Sequence, residues 1–141
     1  MIIVIDFDGT CVTHEFPNIG KDIGAEKVLK KLIQKGHKLI LFTMRCNHTF
    51  IPNSHQPDII VEPGNYLTEA VNWFKERDIP LFGIQKHPNQ SGWTSSPKAY
   101  GHLIIDDIAL GCPVKFDRNI SDKPFIDWVR IEGMLTNNGI L

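Results

Sequence analysis

No stretch of the chain approaches the ~20 apolar residues that a membrane-spanning helix requires, so no span is expected. Cysteine is scarce. Cys11, Cys46 and Cys112 are odd in number and widely spaced, which speaks against a disulfide framework and for reduced thiols. The basic, then apolar, then small-residue pattern of a secretory leader is missing, because Asp6 and Asp8 interrupt the first apolar run. These absences make the cytoplasm the expected location. Neither sign of charge dominates: 15 Lys and Arg against 16 Asp and Glu give a formal net charge of -1. That balance gives no reason to expect broad attraction to nucleic acid or to a membrane, while local basic patches stay allowed. No Gly-Lys-Ser/Thr follows a glycine, so the phosphate-cradling P-loop is not there.

What the chain does contain is an alternation of short apolar runs with amphipathic stretches. Ile2-Ile3-Val4-Ile5, residues 38–43, 81–84 and 102–105 read as buried strands, and 113–116 as a short fifth one. Residues 25–35 carry a helical stripe of Val28, Leu29, Leu32 and Ile33 with lysines away from it. Residues 66–77 carry another, of Leu67, Ala70, Val71 and Phe74. A last helix is expected to open at Asp122 as N-cap, with Pro124 in its first turn, and to run to about Met134. Between these elements lie irregular stretches at 11–24, 44–63 (with an extended piece at Ile59-Ile60-Val61) and 85–97, then a helical turn at 98–101. At 141 residues the chain suits a single domain spanning 1–141. The expected architecture is α/β: a doubly wound, mainly parallel five-stranded sheet with helices on both faces.

Carboxylates collect at the ends of two of these strands. The first run leads into Asp6-Phe7-Asp8-Gly9-Thr10 and the fourth into Asp106-Asp107. Ligands of parallel sheets gather outside the carboxyl ends of the strands. Four acidic groups on one rim repel unless neutralised, so a hard cation such as Mg2+ is the natural counter-ion. Held rigidly at a strand end, Asp6 can act as a nucleophile, and Asp8, two residues on, as general acid and then base. Gly9 permits a sharp turn and Thr10 can bond back across it.

The segment Asp6-x-Asp8-x-Thr10 after a buried strand resembles the nucleophile motif of the haloacid dehalogenase (HAD) superfamily. The remaining motifs of that family have counterparts in the same order: Thr43 ending the second strand, Lys98 upstream of the fourth (Lys86 is a rival), and the acidic pair Asp106-Asp107. The resemblance spans about residues 1 to 117. It implies a HAD-like Rossmannoid fold and a Mg2+-dependent phosphomonoester hydrolase working through an aspartyl-phosphate on Asp6. By the same resemblance the metal is held by Asp6, Asp106 and the Asp8 backbone carbonyl, with Asp107 in or next to this set. Thr43 and Lys98 hold the phosphoryl oxygens. Gly9, Thr10 and Arg45 are the expected substrate-contacting positions. Neither window where such proteins insert a cap, 11–24 or 85–97, can bury a core of its own, so a capless member is expected. Its substrate is then a small phosphoester or the exposed phosphate of a macromolecule, with a second subunit of a homo-oligomer as a conceivable lid.

Other readings compete. A metal-binding regulatory module with no turnover would keep the acidic rim but has no need of Asp8, and a HAD-type phosphotransferase would need a lid against water. Cys11, His14, Cys46 and His48 invite a zinc reading, though their spacing fits no established zinc pattern and oxygen ligands favour Mg2+. Arg45 reads equally well as a solvated loop residue. His55, His87 and Trp93 lie in stretches that could border a substrate, while Trp73 and Trp128 read as helix residues packed in the core.

Overall fold

Four parallel strands, β1 (Ile2–Ile5), β2 (Lys38–Leu41), β3 (Leu81–Ile84) and β4 (Leu103–Ile105), form one sheet in the order β3-β2-β1-β4. The structure, a computed structural model, describes residues 1–48 and 62–141. The extended piece expected at residues 59–61, and His55, lie outside the described residues. Successive strand side chains alternate between faces. Ile3 and Ile5 of β1 therefore share one face with Leu39 and Leu41 of β2, while Val4 and Ile40 point to the other, and all are buried.

The first face carries the main core. Helices α1 (Ala25–Gln34), α2 (Tyr66–Glu76) and α3 (Trp128–Asn137) all bury their apolar sides in it. In α1, Ala25, Val28, Leu29 and Leu32 recur at helical spacing and point inward. On its outer side Lys30 pairs with Glu26 at 2.7 Å. Phe7 sits where the rim meets this core, edge-on to Trp73 at 5.8 Å and 6.0 Å from Phe74. Each fully buried Leu or Phe of this kind contributes about 1.5–3 kcal/mol.

The second face carries no helix among the described residues, which corrects the expectation of helices on both sides. Val4 and Ile40 are covered by Ala99, with Ile2 and Phe82 packed alongside. The covering segment, 85–102, is irregular apart from one 3-10 turn at Gln90–Gly92, so the helical turn expected at 98–101 does not form. Its shape is set by the buried Gln90 side chain, which donates to the Ser96 and Lys98 carbonyls (2.9 and 2.7 Å) and accepts from Tyr100 N–H (2.9 Å). At Gly101 a Cβ would lie 2.5 Å from Val4 Cγ2, so only glycine lets this segment rest on the sheet.

Two further expectations are corrected. Among the described residues the main sheet has four strands, not five: Val114–Lys115 pairs antiparallel with Phe125–Ile126 in a separate two-stranded ribbon. That pairing also moves the start of the last helix. Phe125 and Ile126 are both fully buried in extended backbone, and Asp127, not Asp122, caps α3 by accepting from Val129 and Arg130 N–H. A second two-residue pairing, Asn47–His48 with Gly64–Asn65, was not expected. No helix of the described residues is long and apolar enough to cross a membrane.

Candidate active site

Register brings the carboxylates together. Ile5 of β1 is level with Leu41 of β2 and Ile105 of β4, and the ladder continues one step beyond: Asp6 N–H donates to Ile105 O at 3.1 Å and Phe42 N–H to Ile5 O at 2.8 Å. Asp6 and Asp106 therefore leave the sheet side by side, at the same end. Carboxylate oxygens of Asp6, Asp106 and Asp107 all lie within 4.8 Å of one another. Such a set of hard oxygen donors fits a divalent cation of the Mg2+ type, which takes its remaining ligands from water and substrate.

The turn after β1 is built to hold this geometry. Phe7 O accepts from the N–H groups of Thr10, Cys11 and Val12, which folds the chain back sharply. Gly9 sits at φ +77, and a Cβ there would come within 2.1 Å of His14 Nε2 and 2.8 Å of Asp107 Oδ2. The buried Thr10 hydroxyl accepts from Asp107 N–H at 3.1 Å. It also faces Asp6 Oδ2 at 3.2 Å and Asp107 Oδ1 at 3.4 Å, so its one hydrogen serves one carboxylate at a time. Trp128 Nε1 of α3 donates to Thr10 O at 2.8 Å and ties the turn to the core. Gly9 and Thr10, expected to contact substrate, are buried and do not line the cleft; they position the carboxylates instead.

Like charges crowd Asp6 at the rim. Burial pushes the Asp6 carboxyl up to about 7, against the opposing pull of the Phe7 backbone hydrogen bond, with the charges of Asp106 and Asp107 raising it further. A cation among these three groups would remove the repulsion. Burial likewise raises the Cys11 thiol, which donates to Asp6 O and has no access to solvent.

The cleft above the carboxylates has a volume of about 420 Å3. Asp6, Asp8, Asp106, Asp107, Thr43 and His14 supply its polar groups, and Phe42, Met44 and Ile108 form an exposed apolar collar. Thr43 is where the sequence placed it, at the end of β2. A second cleft, of about 400 Å3, runs beside the outer edge of β4 against α3; it is lined without charged residues and offers no comparable chemistry.

Arg45 is not a solvated loop residue, and its guanidinium is engaged by protein groups. It is 2% exposed and grips both oxygens of Asp8, Nε to Oδ2 and Nη2 to Oδ1, each at 2.7 Å. Its remaining bonds go to the Pro17 and Asn18 carbonyls at 3.1 and 2.7 Å, fastening the 14–20 loop to the rim. Lys98 is exposed on the segment that covers the second face, and it does not line the cleft. Its rival Lys86 is also exposed, with Nζ 3.4 Å from Ser91 Oγ. Among the described residues, the basic groups at the rim are His14 and Arg45.

Two residues of the site carried no functional expectation beyond a zinc reading. His14 Nε2 lies 2.9 Å from Asp107 Oδ2, a contact across 93 positions for which the sequence has no local signal. Gln85, at φ +62 just past β3, accepts from Thr43 N–H at 2.9 Å and donates to the Thr43 and Arg45 carbonyls at 2.6 and 3.0 Å. Its strand-end position was the available clue. Cys46 is exposed, and His48 belongs to the short pairing with Gly64.

No family model and no curated protein matches the chain. Among solved structures, a conserved protein from Bacteroides thetaiotaomicron is 30% identical, with a TM-score of 0.69, over 98% of this chain and 91% of that one. That identity, carried over nearly the whole of both chains with a shared fold, means that this protein belongs to the same family as the conserved Bacteroides thetaiotaomicron protein.

Proposed function

We propose that the acidic cleft hydrolyses phosphomonoesters with the help of a divalent cation, Mg2+ by donor chemistry. The observation that carries this reading is the convergence of Asp6, Asp106 and Asp107 within 4.8 Å, with Thr43 lining the same cleft. The resemblance of the motifs at Asp6, Asp8, Thr43 and Asp106-Asp107 to those of the HAD superfamily supports it. When bound, the cation offsets the repulsion between anionic Asp6 and an anionic phosphoryl group.

In this reading an Asp6 oxygen attacks phosphorus, forming an aspartyl-phosphate as the bond to the leaving oxygen breaks. Thr43 donates its hydroxyl hydrogen to a phosphoryl oxygen as charge redistributes. Asp8 passes a proton to the leaving oxygen and later takes one from the water that cleaves the aspartyl-phosphate. For that exchange Asp8 must release one arm of the Arg45 fork. Phe42, Met44 and Ile108 face the part of the substrate beyond the phosphate. Lys98 has no role in it.

The Arg45 fork also favours a second reading, a metal-binding module without turnover, in which Asp8 stays clamped as a structural anion. One assay separates the two. Release of p-nitrophenol from p-nitrophenyl phosphate should require Mg2+, stop with EDTA, and fall at least about a thousandfold in Asp6→Asn with the fold intact. No Mg2+-dependent turnover in the wild type, or equal turnover in Asp6→Asn, would remove the hydrolase reading.

A further inference from the structure

We infer that the second face of the sheet, which carries no α-helix among the described residues, binds single-stranded nucleic acid, independently of the chemistry at the acidic cleft. The face carries a continuous chain of aromatic contacts. Lys38 Nζ sits 4.3 Å from the Phe82 ring centroid, Phe82 meets His87 at 5.1 Å, and His87 meets Tyr100 at 5.8 Å. Tyr100 in turn contacts both Trp93 (5.5 Å) and His102 (5.6 Å). Only the inner end of this chain serves the core, where Phe82 packs beside Val4, Ile40 and Ala99.

The outer end faces solvent: Trp93 is 59% exposed and Tyr100 44% exposed. Their ring planes meet at 89°, an edge-to-face arrangement. Exposed aromatics of this size at one spot exceed what covering Val4 and Ile40 requires.

Charge selects the partner. From residue 79 to residue 105 the sequence contains no aspartate or glutamate, although the whole chain has 16. The same stretch supplies Lys86, Lys98, His87 and His102, and Lys38 joins them from the start of β2. Flat rings interleaved with lysines, on a segment that itself contains no carboxylate, suit a ligand that alternates π-faces with negative charge, which describes a single nucleic-acid strand. A duplex hides its base faces and would meet only the lysines. An extended peptide has an uncharged backbone and would leave the lysines without partners unless its side chains were acidic.

The test is fluorescence anisotropy of a fluorescein-labelled oligothymidylate of about 12 nucleotides against the full chain, in low salt with EDTA present. Saturable binding is expected, with Trp93→Ala and Tyr100→Ala each weakening it about fivefold or more and Trp93→Phe restoring most of it. Lys38→Glu and Lys98→Glu should each reduce the slope of log affinity against log salt by about 0.7. Asp6→Asn should bind like the wild type, so a failure of the hydrolase reading leaves this result untouched. Circular dichroism of each variant checks that the fold is kept. The inference is overturned by absence of binding, by affinity indifferent to both aromatic substitutions, by duplex binding as tight as single strand, or by an acidic peptide of equal charge that binds more tightly.

Discussion

The acidic rim and the second face of the sheet are built in opposite ways. At the carboxyl ends of β1 and β4, carboxylates from segments a hundred positions apart are locked together by strand register and by the hydroxyl of Thr10. Across the second face, one continuous segment, 79–105, brings aromatic and basic groups and no acid at all. The rim is held by hydrogen bonds to a strand end and a buried turn, and by the Arg45 ion pair. The face is held mainly by Gln90 and by the close approach at Gly101. Positional accuracy is what chemistry on a phosphoryl group demands, and a stacking surface tolerates less of it.

The sharpest way to break that contrast is to undo the rim's own ion pair. Arg45→Met leaves Asp8 without its cation and the 14–20 loop without its anchor, and should cost about 3–5 kcal/mol in urea unfolding. Arg45→Lys keeps charge but loses the fork, and should fall between. If Arg45→Met unfolds like the wild type, the pair is not what holds the rim.

Asp6 gives a second, smaller handle. Its folded-state value of about 7 lies above the ordinary carboxylate value of 3.8, so without metal the folded form takes up more protons than the unfolded one between those limits. Stability linked to Asp6 is therefore fully present below about pH 4 and lost as pH rises through about 7. The upper bound is about 4 kcal/mol, of which solvent screening leaves on the order of 2. Thermal melts of EDTA-treated protein should show this decline, Asp6→Asn should lack it, and Mg2+ at neutral pH should reverse it. A decline of equal size in Asp6→Asn would assign it to other groups. The smallest effect separates the two surfaces: Lys98→Ala should change stability by less than about 0.5 kcal/mol and leave phosphatase turnover unaltered. A large loss of turnover there would return Lys98 to the cleft.

Local signals carried the sequence a long way, and long-range contacts account for what they did not convey. The apolar runs of β1 to β4 and the stripes of α1 and α2 are readable because their burial pattern is written in adjacent residues. Strand ends are equally readable, which is why Asp6, Asp106 and Thr43 meet as expected. An apolar stripe, however, does not say which face of a sheet it covers, so all three helices on one side came as a correction. Asp122 with Pro124 is as good a helix start on paper as Asp127; the pairing of Phe125–Ile126 with Val114–Lys115 decides between them. Arg45 reaches Asp8 across 37 positions and His14 reaches Asp107 across 93, and neither contact leaves a spacing rule behind. Lys98 shows the converse: correct order along the chain did not bring its side chain to the site.

The central claim, that Asp6 accepts a phosphoryl group, is tested most directly by acid-quenching the Mg2+-loaded protein after brief mixing with radiolabelled p-nitrophenyl phosphate and mapping the label. The phenolate leaves without a proton from Asp8, so Asp8→Asn, in which Arg45 keeps Pro17 and Asn18 as acceptors, should accumulate label on the peptide containing Asp6. The wild type should carry less label because it turns over, and Asp6→Asn should carry none. Absence of label in Asp8→Asn, or label that persists in Asp6→Asn, would contradict the account.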